Sequence, residues 1–391
     1  MTTDAGTQKV TSVLAARLML ARRAAVRVGA VRVARRSRAR WSASPSAASS
    51  ASSATPTGED ADGRWSVTRS PDAAKRALEM TPTMTTRVLL VGEGDFSFTR
   101  ALVNATSTST SSVAITATSL ESERAIRDAW RGAKNVDALA RAPNVCVKHG
   151  VDATALLDTF DRGSFDRVCF MFPHIAGKGR INRNRELLFG YFSAASDVLA
   201  PGGFIEVALA PGQGGTSIDG VALRDYGNSW QAYTHGAEAG LLMIDVAAFD
   251  DAGWRALGYE SRGHWRSADA ERGFRTEQGA CHVFCRESER PIGAFCEHAQ
   301  TFERDVSLWC DDDEDGESII REQFTLALNG ADIQLDVARI DEYRDPESNR
   351  ISRTYRVMYT SRTVALTRQK VNLYNDSARR ALGDKLRGGA P

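Results

Sequence analysis

Short apolar runs rich in β-branched residues recur at 87–91, 113–118, 144–149, 165–172 and 202–209, each long enough for one strand. Two of the stretches between them carry apolar residues at i, i+3, i+4 and i+7. One is 122–130; the other is 184–199, through Leu187, Leu188, Tyr191, Phe192, Ala195 and Leu199. Strands alternating with helices of that length predict right-handed β-α-β crossovers and a parallel sheet of the Rossmann-like α/β class. Ligands of such sheets bind beyond the carboxyl ends of the strands, and every conspicuous loop here lies at such an end.

After residue 285 the pattern changes. Residues 302–309 read as a strand, 317–328 as a helix, 333–343 and 351–359 as a hairpin pair, and 367–386 as a helix with Thr367 as N-cap. The order β-α-β-β-α predicts an α+β, ferredoxin-like domain, whose closing fourth strand is expected to be short or missing. The chain therefore divides into an arm at 1–58, a linker at 59–86, an α/β domain at 87–286, a second linker at 287–300 and an α+β domain at 301–391.

The first strand runs into Gly92-Glu93-Gly94-Asp95-Phe96-Ser97. Glycines let a backbone approach a ligand, and a side chain at Gly92 is expected to fill cofactor space while leaving the fold intact. Glu93 and Asp95 put negative charge where the pyrophosphate of a dinucleotide would sit, and Ser97 stands where that fingerprint wants its third glycine. The turn favours a cationic cofactor such as S-adenosylmethionine (SAM). An oxidoreductase is further disfavoured because no Tyr is followed four places later by Lys.

These residues carry a resemblance. VGEGDFSF (91–98), ITATS (115–119), HGVDAT (149–154), FDRVCFMFPHIAGKGRINRNRELL (165–188), the GQGG loop (212–215), and Ser229-Trp230 followed by Ala237 to Leu241 together resemble the 25S rRNA uridine-N3-methyltransferase-like family, over about 87–286. Met171 stands where that family usually has Asn. Residues 301–387 resemble the ferredoxin-fold anticodon-binding domain at the end of phenylalanyl-tRNA synthetases, through F-x-R-D-V-S at 302–307, I-D-E-Y at 340–343, Ser352 to Arg356, Arg362-Thr363 and Leu366-Thr367.

The resemblance implies a SAM-dependent RNA base methyltransferase acting on uridine N3, with an appended RNA-binding domain. rRNA is the implied substrate and tRNA its competitor. The alternative is a non-catalytic RNA-binding or synthetase-associated protein. Gly92, Glu93, Gly94, Asp95 and Ser97 would hold the methionine part of the cofactor, Ser119 or Glu121 its ribose, and Asp152 with Ala153 its adenine. In the loop after the fourth strand, Phe172 would stack on a flipped base, Pro173 would stiffen the backbone, and His174 would take the N3 proton, which uracil carries at neutral pH. Lys178, Arg180, Arg183 and Arg185 read as phosphate contacts. Gly212, Gly214 and Gly215 would let a loop close over the base, with Gln213 on its edge, or form a flexible turn. Arg353, Arg356 and Arg362 would meet RNA from the C-terminal domain.

Composition sharpens this picture. Ala5 to Gly58 contains no Asp or Glu, whereas Lys9 and nine arginines precede a Ser/Ala-rich run at 42–55, as in an organelle transit peptide. A basic RNA-binding arm is the other reading, which leaves nucleolus or cytoplasm open. Beyond residue 58 there remain 40 basic against 48 acidic residues, so RNA contact must be local. It is local at 335–391, where 12 Lys and Arg face 7 Asp and Glu. Six cysteines without a C-x-x-C imply free thiols in a reducing compartment. Cys281 and Cys285 face one side of a strand and His282 the other, so no metal is expected there, and no apolar run reaches transmembrane length.

Overall fold

The structure is a computed structural model, which describes residues 65–79, 85–107, 112–128, 132–175, 181–261, 275–311 and 313–386. Seven strands form one sheet: β1 (Thr86–Val91), β2 (Val113–Ser119), β3 (Val145–His149), β4 (Phe165–Met171), β5 (Leu199–Leu209), β6 (Leu241–Ala248) and β7 (Ala280–Arg286), in the order β3-β2-β1-β4-β5-β7-β6. Strands β1 to β5 are mutually parallel, and β7 runs antiparallel to both β5 and β6. The strand order reverses direction between β1 and β4, which opens a crevice at their carboxyl ends.

Helices cover both faces. Leu89 and Val91 point to one side, where α1 (Ile181–Val198) packs Leu188, Tyr191, Phe192 and Ala195. Val88 and Leu90 point to the other, against Phe98, Ala101 and Leu102 of α2 (Ser97–Thr106) and against Trp254. A strand buried on both faces reads as an unbroken apolar run, which is why Val88 to Val91 signalled it so plainly. The hydroxyl of Tyr191 donates to carbonyls on β4 and β5, 2.9 Å from Val168 and 2.8 Å from Glu206, so the helix is keyed to the sheet.

The segment before β1 is not a linker throughout. Glu206, fully buried in the middle of β5, accepts bonds from Ser66 Oγ (2.8 Å), Val67 N (2.9 Å), Thr68 N (3.1 Å) and Thr68 Oγ1 (2.7 Å). A buried carboxylate is tolerable when its lone pairs are filled in this way, and here the filling anchors residues 65–69 to the sheet. The helix α3 (Pro71–Glu79) that follows buries Ala73, Ala74, Ala77 and Leu78. Three further elements show no clear periodicity in the sequence, the antiparallel strands β6 and β7 and the short helix α4 (Asp251–Ala256), whose Trp254 donates to Thr68 O (2.8 Å).

The C-terminal domain holds β8 (Phe302–Cys310), α5 (Gly316–Ala327), β9 (Gln334–Arg344), β10 (Ile351–Thr360) and α6 (Arg368–Leu382), with Thr367 capping α6 through Lys370 N (3.1 Å). Its sheet order is β8-β10-β9, antiparallel, with both helices on one face around Val306, Leu308, Phe324, Val357 and Tyr359. The fourth strand is reduced to one antiparallel bridge, Leu386 to Leu308, among the described residues. That edge gives the ferredoxin-like order 4-1-3-2.

The stretch 287–300, read from sequence as a linker, belongs to the contact between the two domains. Glu287 accepts from Lys370 Nζ (2.6 Å) and Ala365 N (3.2 Å), Cys296 N donates to Arg362 O (2.7 Å), and Leu366 N donates to the Tyr233 hydroxyl (3.2 Å). Ala365 is buried within the core of the α/β domain. The C-terminal domain is therefore docked, not tethered.

Candidate active site

The carboxyl ends of β1, β2, β3 and β4 converge on a cavity of about 430 Å³. From the end of β1 come Gly92, Glu93, Gly94 and Asp95; after β2 come Leu120 and Glu121; after β3, Val151, Asp152 and Ala153; and from the end of β4 and the loop beyond it, Phe170 to Ile175. Ser97 and Phe98 of α2, Leu187 of α1, and Tyr259 with Glu260 complete the wall. Sequence reasoning assembled most of these residues, because they lie at strand ends that periodicity had marked.

The turn after β1 is tightly specified. Gly92 has φ +68°, and a Cβ there would lie 2.3 Å from Cε2 of Phe170. A side chain there would run first into the Phe170 ring, which is both core and cavity wall, so substitution strains the fold as well as the site, and this corrects the expectation that it would spare the fold. Glu93 N donates to Thr118 O (2.8 Å), tying the turn to β2. The buried Glu93 carboxylate accepts from Thr99 N (3.2 Å) and Thr99 Oγ1 (3.0 Å), and Asp95 Oδ1 accepts from Ser97 N (3.0 Å). Burial pushes the Glu93 carboxyl up to about 7, against the Thr99 bonds and with help from the charge of Asp95.

Five carboxylates, of Glu93, Asp95, Glu121, Asp152 and Glu260, line the cavity, and its described lining holds neither Lys nor Arg. Such a wall repels phosphate and attracts a cation, so the residues present fit a sulfonium-bearing amino acid. Asp152 Oδ1 also accepts from Thr154 N and Oγ1, both at 2.8 Å, so its capping and lining roles coexist. Ser119 is displaced from the role given to it: its hydroxyl is spent on Glu121 O (2.9 Å) and His149 Nδ1 (2.8 Å), and Glu121 lines the cavity in its stead. The Ser97 hydroxyl clasps Glu260, donating to its carbonyl (3.1 Å) and accepting from its N–H (3.0 Å). This clasp brings Tyr259 and Glu260 into the wall. No signal in the sequence placed them there, because their position depends on a hydrogen bond that spans 163 residues.

At the far end of the cavity the lining turns apolar around one imidazole. Phe172 adopts φ +48°, unusual for a bulky residue, and its N–H donates to Ala208 O (2.9 Å). Its ring is buried edge-on against Phe249, with centroids 5.0 Å apart, and abuts Gly279. This packing contradicts a free platform for a flipped base. The twist at Phe172 aims Pro173 and the half-buried His174 along the wall, where the His174 ring lies 6.3 Å from that of Trp230.

Other expectations are redistributed. The Arg185 guanidinium donates to Ser229 O and Gly227 O (2.7 Å), so it straps a loop instead of awaiting phosphate. Arg183 is exposed on α1, and Lys178 and Arg180 lie outside the described residues. Gly212, Gln213, Gly214 and Gly215 form neither a lid nor a slack turn. Asp219 accepts from Gly212 N (3.0 Å) and Gly215 N (2.8 Å), Ala210 N donates to Gln213 Oε1 (3.1 Å), and a Cβ at Gly214 would meet His282 at 2.4 Å. None of the four lines the cavity. In the C-terminal domain Arg353 is held by Glu342 and Glu314 O, Arg356 by Asp305 and Glu303, and Arg362 lies 3.8 Å over Phe295. Arg368, Arg379 and Arg380 on α6 have no such pairing among the described residues.

Comparison with known proteins bears on the α/β domain. Residues 89–263 match the family model described as "rRNA (uridine-N3-)-methyltransferase BTM5-like". This segment is similar to the BMT5-like family. The methyltransferase match implies SAM as the cofactor. The chain is 39% identical over 208 residues to human "Ferredoxin-fold anticodon-binding domain-containing protein 1", a match covering 51% of this chain and 31% of that protein. It is 38% identical over 131 residues to the Arabidopsis thaliana "Heavy metal-associated isoprenylated plant protein 41", covering 31% of this chain and 25% of that one. The chain thus matches about a third or less of the length of these relatives. Among solved structures, TrmN from Thermus thermophilus superposes on 55% of this chain and 48% of its own with a TM-score of 0.33 and 14% identity.

Proposed function

We propose that the chain is a SAM-dependent RNA base methyltransferase that acts on uridine N3, with its C-terminal domain holding structured RNA. The observation that carries this reading is the asymmetry of one cavity, anionic at the glycine turn and apolar around a single imidazole beyond β4. When bound, SAM supplies an electrophilic methyl group. Glu93 and Asp95 hold its cationic end, Glu121 and Asp152 take the sugar and base, and the wall of Phe172, Pro173 and Ile175 excludes water from the transfer. His174 takes the acceptor proton that uridine N3 must lose. Mass spectrometry of modified nucleosides from organellar and cytosolic RNA, with and without the gene, tests the reading and names the RNA. Binding of RNA without any methyl transfer would favour the non-catalytic alternative.

rRNA follows the wording of the family, and tRNA is the competitor raised by the anticodon-binding resemblance. Organellar import is the reading of residues 1–58, tested by the address to which that segment carries a fluorescent reporter. Phosphate binding falls to the arginines left without carboxylate partners. Replacing Arg368 and Arg380 together by Glu is expected to weaken binding to structured RNA and to reduce the slope of log K against log salt by about 0.7–0.9 for each phosphate no longer neutralised. SAM affinity should not change. An unaltered salt slope would move the RNA interface elsewhere.

A further inference from the structure

We propose that Glu93 makes the cavity select its cofactor by charge, holding the methyl-bearing sulfonium form more tightly than the neutral thioether left after transfer. The inference rests on the methyltransferase reading above and adds to it a means of product release.

The geometry fixes this carboxylate in place. Its residue is 7% exposed, its N–H is bound to β2, and one oxygen is held by Thr99 in the first turn of α2, so it cannot turn out to solvent. The groups whose charge couples to it come from three sides: Asp95 on the same turn, Tyr259 from the segment after α4, and Cys169 on β4. Burial pushes the Tyr259 hydroxyl and the Cys169 thiol up, so both stay neutral at physiological pH, and Asp95 carries at most a negative charge. No described cation in the wall balances Glu93. Its own carboxyl, raised from 4.5 to about 7, is divided between its two forms near neutral pH.

The consequence follows from linkage. A cation beside a desolvated carboxylate favours ionisation, so binding of the sulfonium form expels a proton from Glu93. The neutral thioether exerts no such pull and leaves the proton bound. As pH rises through about 7, the ionised receptor grows in population. Affinity for the sulfonium form rises with it, and affinity for the thioether does not. Loss of the methyl cation thus weakens the hold on the product at the moment it must leave.

Calorimetry on the full chain tests this with SAM and S-adenosylhomocysteine, which share every charged group except the sulfonium. Between about pH 6 and pH 8 the ratio of their dissociation constants, thioether over sulfonium, should rise with the ionised fraction of Glu93, by up to about tenfold. Near pH 7, buffers of different ionisation heat should show SAM binding releasing more protons than S-adenosylhomocysteine binding, a readout that needs no variant. Glu93→Gln keeps an acceptor for Thr99 and should flatten the ratio; Asp95→Asn should leave its pH dependence in place. A ratio that is constant with pH in the wild type, or that keeps its pH dependence in Glu93→Gln, overturns the inference. If neither compound binds, the methyltransferase reading itself fails.

Discussion

His174→Ala is expected to lower kcat for methyl transfer by about 10² to 10⁴ while SAM affinity stays at the wild-type value. His174 sits at the apolar end of the cavity, beyond β4, and is the one basic side chain in the described wall. An acceptor nitrogen that carries a proton at neutral pH needs somewhere to put it during transfer, and removing the imidazole removes that place. Raising the pH should then restore part of the lost rate, because an acceptor that is already ionised needs no base. A group that merely positions the substrate cannot be replaced by hydroxide in this way. Equal loss of activity at every pH would make His174 a positioning residue. Undiminished activity would remove it from the chemistry.

Gly92→Val is expected to destabilise the folded protein by about 2–5 kcal/mol. A left-handed backbone costs an L-residue roughly 1–2 kcal/mol, and overpacking a filled core costs roughly 1–3 kcal/mol more. Both apply at this position, where φ is +68° and the new Cβ would begin 2.3 Å from the Phe170 ring. Valine makes the backbone cost worse, since β-branching is poorly tolerated at positive φ. The denaturation midpoint should fall, and cofactor binding should be lost along with the turn. An unchanged midpoint together with abolished SAM binding would instead put the side chain in the cofactor's space, as a reading of the glycine turn alone suggests.

The two fold classes and most of their elements are legible in the pattern of apolar runs alone. Strands buried on both faces, such as β1 with Val88 to Val91, announce themselves as apolar runs, and α1 and α6 declare themselves by apolar residues three and four apart. Strand ends then located the cavity, and the acidic turn at Glu93 and Asp95 indicated a cation. Local chemistry was enough there, because each signal depends on residues within one or two turns of chain.

Which polar groups remain available to a ligand depends on partners that folding brings from elsewhere in the chain. Ser119 and Arg185 looked free in the sequence, yet their partners, His149 and the carbonyls of Gly227 and Ser229, lie 30 and 42 to 44 positions away. Tyr259 and Glu260 join the wall through Ser97, and residues 65–69 join the sheet through Glu206. The glycines at 212–215 turned out to be spacing for His282 and Ser229 instead of a hinge. A buried donor or acceptor must find a partner wherever folding brings one, and periodicity carries no information about which distant group that is.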